Sequence, residues 1–211
     1  PGPVWEYSRA TDVLGRVIEV ASGEPLGEHL RKALFEPLGM HDTRFAVPAA
    51  EHLRIAEPFP NDPDNGNAVQ LFDPRVRVPL ESAGSGLVST AADYARFLQM
   101  LTGGGRLGDV RVLGRRTVEA MTADHLGPIP QTPGIMPAGH GFGLGFAVMT
   151  AVGEHTEPGS IGAYGWSGAG GTSFFVDPRE SLFALLLTQA PGLFDEAREL
   201  FRQLVYAAID D

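Results

Sequence analysis

Three short segments carry the side chains and backbone freedom that proton transfer and nucleophilic chemistry use. They are Tyr7-Ser8-Arg9, Ser82-Ala83-Gly84-Ser85-Gly86-Leu87 and Trp166-Ser167-Gly168-Ala169-Gly170-Gly171. A phenol titrates near pH 10, so it accepts a proton at neutral pH only beside a cation. Each segment also has a plainer reading: a packing tyrosine before a helix, a cap and turn, a bulge at a strand end. Ser167 is not a nucleophile elbow, because Ala169 stands where Gly-x-Ser-x-Gly needs glycine and no helix follows. His140-Gly141-Phe142-Gly143-Leu144-Gly145 lacks the spacing of a phosphate loop and reads as strand. The chain has no cysteine, which removes thiolate nucleophiles and Cys-based metal sites. Its histidines (His29, His41, His52, His125, His140 and His155) form no i,i+3 or i,i+4 ligand pair, so no metal is expected.

The elements that must position these segments follow from periodicity. Ala10, Val13, Leu14, Val17, Ile18 and Ala21 form a helical stripe, with Ser8 as the expected N-cap and Gly23 as the stop. Leu26, Leu30, Ala33 and Leu34 continue as a second helix after Pro25, ended by Pro37-Leu38-Gly39. Residues 46–86 are broken by prolines and read as an ordered excursion over the surface. Thr90 to Asp93 is a capping box with Asp in place of Glu, opening a third helix that Gly103 closes. Arg115 to Thr122 is a short fourth helix. Phe142, Leu144, Phe146 and Val148 alternate as one strand, and Thr172–Asp177 and Leu182–Thr188 are two more. Ala197, Leu200, Phe201, Leu204, Val205, Ala208 and Ile209 share one face of a closing helix. The class is α+β: residues 1–139 are helical and loop-rich, and residues 140–211 are an antiparallel meander with a covering helix.

Composition narrows the partners. Sixteen basic against 26 acidic residues give a formal charge of −10, which disfavours a nucleic-acid binder. No apolar run approaches a membrane span. Pro1-Gly2-Pro3 is no signal peptide and reads as the interior of a longer chain. Localisation stays open, with a lean to the cytoplasm, since any export signal would lie upstream.

Taken in order, the segments resemble serine β-lactamase-like proteins: class C β-lactamases, penicillin-binding DD-peptidases and related carboxylesterases. The resemblance is carried by Tyr7-Ser8, Val13-Leu14-Gly15, Pro37-Leu38-Gly39-Met40 and Asp42-Thr43. Gly84 to Thr90 with Asp93-Tyr94, His140 to Gly145 and Tyr164 to Pro178 continue it. It implies a β-lactamase/transpeptidase-like fold and an acyl-enzyme route with no cofactor. Tyr7-Ser8-Arg9 then matches the second catalytic motif, with Tyr7 as general base activated by a lysine. Trp166-Ser167-Gly168 sits at the third motif, where Ala169 supplies one oxyanion N–H. Arg9, Trp166, Ser167 and Gly168 line the substrate, with Gly168 and Gly170 letting it approach the strand edge. The resemblance also implies that Tyr7 and Trp166 meet in one cleft.

Two replacements bear on substrate. Arg9 stands for the usual Asn, and Trp166 for the usual Lys or His that helps hold a carboxylate. An indole has a stacking face and one N–H donor but no charge. Carboxylic esters are therefore the expected substrates ahead of β-lactams or D-Ala peptides. The family's Ser-x-x-Lys motif does not occur: the one lysine is Lys32, and His29 stands three residues before it. Lys32 reads as a surface charge. The chain is thus expected to be the C-terminal part of a larger domain, inactive alone and needing an N-terminal segment with the serine and lysine. A non-catalytic binding protein on the same fold is the alternative.

Overall fold

The computed structural model describes residues 3–62, 65–154, 156–191 and 194–210. Pro1, Gly2, Pro63 and His155, which entered the sequence reading, lie outside them. The chain falls into two compact units. One comprises Tyr7–Glu57 and Gln70–Leu113; the other comprises Pro1–Glu6, Pro58–Val69 and Gly114–Asp211.

In the first unit, helix α1 spans Ala10–Ser22. Its N-cap is Arg9 with no side-chain cap, so Ser8 falls one residue too early for the expected role. Asp12 in the first turn places a negative charge at the N-terminal end of the dipole instead. Gly23, in the left-handed region, ends the helix as expected. Much of the predicted apolar stripe is exposed: Val13, Leu14 and Val17 face solvent, and only Gly15 is buried. Gly15 is buried because it lies against Ala83; an added Cβ would come within 2.8 Å of the Ala83 Cβ.

The second predicted helix is a composite. Helix α2 (Leu26–Leu30) runs into a π turn at Arg31–Phe35 and then α3 (Glu36–Leu38), with Gly39 left-handed at the end. The wider turn brings Leu26, Phe35 and Leu38 into the core with Leu98, Met100 and Leu101 of α4 (Ala91–Thr102). The α4 cap is half of the expected box. Thr90 accepts from the Asp93 N–H at 3.2 Å, as predicted. The Asp93 carboxylate turns away and accepts from Asp42 N–H at 2.7 Å and Thr43 Oγ1 at 2.9 Å. A short hairpin that periodicity missed, β1 (Arg106–Leu107) with β2 (Val110–Arg111), follows α4.

In the second unit, α5 (Arg115–Met121) precedes five antiparallel strands in sequential order. These are β3 (His140–Phe142), β4 (Ala147–Met149), β5 (Tyr164–Ser167), β6 (Ser173–Asp177) and β7 (Leu182–Leu186). The single strand predicted over 142–148 is therefore two. Gly145 adopts φ +99, which an extended strand cannot hold, and the Gly143 N–H closes the turn onto the Phe146 carbonyl at 2.8 Å. Alternation reads through such a tight turn without registering it.

Strand β6 is buried along its whole length. Helix α6 (Phe194–Ala207) covers it: Tyr206 stacks on Phe175 at 5.5 Å and the Arg202 guanidinium lies 4.7 Å from the same ring. The apolar β7 is half-buried throughout, as a strand at the sheet's end paired on one side. Among the described residues, no helix is long and apolar enough to cross a membrane.

The end of β6 is tied by one carboxylate. Fully buried Asp177 accepts from the N–H groups of Ser160 and Arg179, both at 3.0 Å, and from Tyr206 Oη at 2.7 Å. Burial pushes the Asp177 carboxyl up, but the bonds from Tyr206, Ser160 and Arg179 outweigh it and hold it below its ordinary value. Its folded-state pKa is thus depressed. The stability it contributes is present above the unfolded-state value of about 3.9 and is lost as pH falls through the folded one. Asp177→Asn is expected to cost about 1.5–3 kcal/mol at neutral pH. Urea unfolding of the intact protein should show that gap to wild type narrowing below about pH 4.

Candidate active site

Tyr7 and Arg9 belong to the first unit, at the approach to α1. The chain has four tyrosines. Burial pushes Tyr94 and Tyr164 up to about 12, and burial with the Asp177 hydrogen bond raises Tyr206 further. Those three are poor bases at neutral pH. Tyr7 is the more accessible, with 47% of its surface exposed. Arg9 is more exposed still, and its guanidinium lies 3.6 Å from the Asp12 carboxylate.

Lys32 is in the same unit and is engaged elsewhere. Its Nζ donates to Glu24 at 2.6 Å and lies 3.2 Å from Glu28. Hydrogen bonds to Glu24 and Glu28 hold it protonated, with its pKa raised above the ordinary lysine value. That is the reverse of what a basic catalytic amine needs, and it agrees with the surface-charge reading.

Asp12 is a residue that motif reading passed over. Its Oδ1 accepts from Ser82 Oγ at 2.7 Å and from the Gly84 N–H at 3.1 Å. The hydrogen bonds from Ser82 and Gly84, with Arg9 nearby, hold its carboxyl below the usual range. Ser82 Oγ also accepts from the Ser85 N–H at 3.2 Å. The Ser-Gly segment is therefore a pinned turn rather than a free loop. It forms one wall of a recess of about 520 Å³ whose other walls include Phe35, Phe45, Phe72 and Leu80. None of the predicted site residues lines that recess.

Trp166, Ser167, Gly168 and Ala169 belong to the second unit. Trp166 and Ser167 end β5, paired with Phe174 and Ser173 of β6. Ser167 Oγ donates to Ser173 Oγ at 3.3 Å. The chain then turns sharply: the Gly168 N–H donates to the Thr172 carbonyl at 2.8 Å and the Gly171 N–H to the Gly168 carbonyl at 3.0 Å. Between them Ala169 is exposed, and its N–H has no hydrogen-bond partner among the described residues. An exposed N–H on a turn held at both ends is available to donate to a bound group without rearrangement.

Gly171 lets this turn close. It sits at φ +97, and an added Cβ would lie 2.4 Å from Thr188 Oγ1 and 2.9 Å from the Ala190 carbonyl oxygen. Gly171→Ala is expected to lower stability by about 1–3 kcal/mol. It should also disturb the Ala169 N–H, which amide exchange rates at 168–172 in the intact protein would report.

Trp166 does not stand alone. Its ring lies 5.1 Å from that of Phe142, and Phe142 lies 4.7 Å from Trp5. Sequence analysis places Phe142 on a strand but joins neither it nor Trp5 to Trp166, because residues distant in the chain give no shared period.

A family model described as Beta-lactamase matches residues 1–208. Protein Rv1367c of Mycobacterium tuberculosis is 35% identical over 198 residues, covering 90% of this chain and 49% of that protein. Esterase EstB of Burkholderia gladioli is 32% identical over 225 residues, covering 98% of this chain and 55% of EstB. Among solved structures, EstCE1, described as a hydrolase with promiscuous acyltransferase activity, superposes with a TM-score of 0.76 at 26% identity. That match covers 98% of this chain and 57% of EstCE1. The chain spans about half the length of the curated relatives it matches.

Proposed function

This chain belongs to the β-lactamase family, and from that premise we propose that it is part of a serine hydrolase that cleaves uncharged carboxylic esters through an acyl-enzyme. The observation that carries the reading is the turn after β5, where the exposed Ala169 N–H points to no protein acceptor among the described residues. Such a donor stabilises a tetrahedral oxyanion by about 3–4 kcal/mol. The ester preference rests on Trp166 at the position where a carboxylate-holding Lys or His is usual, and on the name of one relative, Esterase EstB.

The proposed steps use side chains and water. A serine oxygen attacks the ester carbon while its proton passes to the Tyr7 phenolate. The carbonyl oxygen gains the charge and accepts from the Ala169 N–H. The carbon–alkoxy bond breaks, and the alcohol departs with the proton that Tyr7 returns. Water repeats the sequence on the acyl-enzyme and releases the acid. Arg9, Ser167 and Gly168 flank the substrate. The serine and the lysine that activates Tyr7 are proposed to lie in sequence outside these 211 residues. The exposed apolar side chains of α1 and the half-covered β7 are surfaces that such sequence would cover.

In the intact protein, a fluorophosphonate probe should leave a covalent adduct, and short p-nitrophenyl esters should be hydrolysed faster than nitrocefin. Tyr7→Phe is expected to lower kcat by roughly 10²- to 10⁴-fold with the fold retained. No adduct and no ester turnover would leave the non-catalytic binding reading in place. Efficient nitrocefin hydrolysis without ester hydrolysis would overturn the substrate preference.

A further inference from the structure

The recess of about 520 Å³ beside the Ser82–Gly86 turn lies wholly within one unit. Its size falls in the roughly 300–1,000 Å³ range of small-molecule pockets. Phe35 and Phe45 contribute buried rings to its walls, while Phe72, Val78 and Leu80 line it and remain exposed. Large apolar side chains exposed together around a concavity form a surface that an apolar ligand covers.

Bonds within the protein fix these walls. The Arg44 N–H donates to the Val88 carbonyl at 3.0 Å, and the Val88 N–H donates back to the Arg44 carbonyl at 2.9 Å. The Val47 N–H donates to the Pro74 carbonyl at 2.8 Å, which ties the 72–80 segment to the stretch after Phe45. The Gly86 N–H donates to the Ser82 carbonyl at 2.8 Å, and a Cβ added to Gly86 would stand 3.0 Å from the Phe45 ring. A cavity built on such ties needs little ordering when it is filled.

Charge around the recess favours an anion. The guanidinium groups of Arg31, Arg44 and Arg77 line it against the two carboxylates of Glu28 and Glu81, in a chain whose formal charge is −10. Both carboxylates are already engaged: Glu28 accepts from Arg31 at 2.6 Å and Glu81 from the Gly27 N–H at 2.7 Å. Arg44 donates to Glu51 at 3.1 Å and to Asp42 at 3.0 Å. Arg77 differs. Its side chain is 81% exposed, and among the described residues it approaches a carboxylate, that of Glu81, no closer than 4.0 Å. That is beyond hydrogen-bond length, so its fork of donors can meet a ligand carboxylate in two parallel bonds.

We infer that this recess binds a medium-chain carboxylic acid, with the alkyl chain against Phe72, Leu80 and the buried rings and the carboxylate on Arg77. The inference does not rest on the hydrolase reading, because binding is measured without turnover.

Calorimetry on the intact protein with decanoate, below the concentration at which it forms micelles, is the test. One equivalent should bind, hexanoate should bind more weakly than decanoate, and acetate should not compete. Arg77→Gln should weaken decanoate by roughly tenfold and leave decanol within about twofold, and Arg77→Lys should recover part of the loss. Phe72→Ala, at a part-exposed ring, should weaken decanoate and decanol alike by roughly five- to tenfold. Arg116→Gln, at an exposed arginine of the other unit, should change nothing. Absence of decanoate binding would overturn the site. So would unchanged affinity in both Arg77→Gln and Phe72→Ala, with thermal melting showing them folded. Wild type binding decanol as tightly as decanoate would overturn the pairing of a carboxylate with Arg77. If no ester is turned over and decanoate still binds with these losses, the site stands and the hydrolase reading fails.

Discussion

Buried backbone N–H groups in loops need acceptors, and in this chain side-chain carboxylates provide several that tie loops to distant segments. Gly and Pro together make up about a fifth of the residues, so much of the backbone lies outside helices and ladders. Asp93 takes the Asp42 N–H, Asp12 the Gly84 N–H, and Glu81 the Gly27 N–H at 2.7 Å. In the other unit Asp124 accepts from Leu126, Gly127 and Phe142, and Asp177 from Ser160 and Arg179. A carboxylate accepts several bonds at once and holds them more strongly than a neutral acceptor does. Each therefore joins a loop to an element far away in sequence.

The candidate chemistry depends on these ties. Asp12 turns the Ser82–Gly86 segment into a fixed wall. Asp124 sets the height of Phe142 beside Trp166, and Asp177 anchors β6, against which β5 delivers the turn that carries Ala169. A donor aimed at developing charge is worth most when nothing has to reorganise during reaction. The acidic composition, read at first as a statement about partners, is in good part a statement about how loops are held.

Sequence and structure diverge where local pattern and tertiary demand compete. Periodicity found the helices and the last two strands because apolar spacing is a local property. It ran through the β3–β4 turn, since Gly143 and Gly145 sit at the polar positions of a strand pattern. It marks an apolar stripe along α1, whereas burial there falls on Gly15 against Ala83. It named Ser8 as a cap, but the helix starts after Arg9, with Asp12 supplying the first-turn charge.

The residues alone determined the helix-then-sheet order, the absence of thiol chemistry, and the ordered motifs that resemble the β-lactamase family to which the chain belongs. These follow from residue type and spacing along the chain. The tertiary structure decided what stands beside those residues: no acceptor for the Ala169 N–H among the described residues, and Phe142 and Trp5 in a row with Trp166. Such neighbours come from segments more than twenty residues apart or from turns only a few residues long. Neither separation leaves a period in the sequence, because contact is set by packing and hydrogen-bond closure in space.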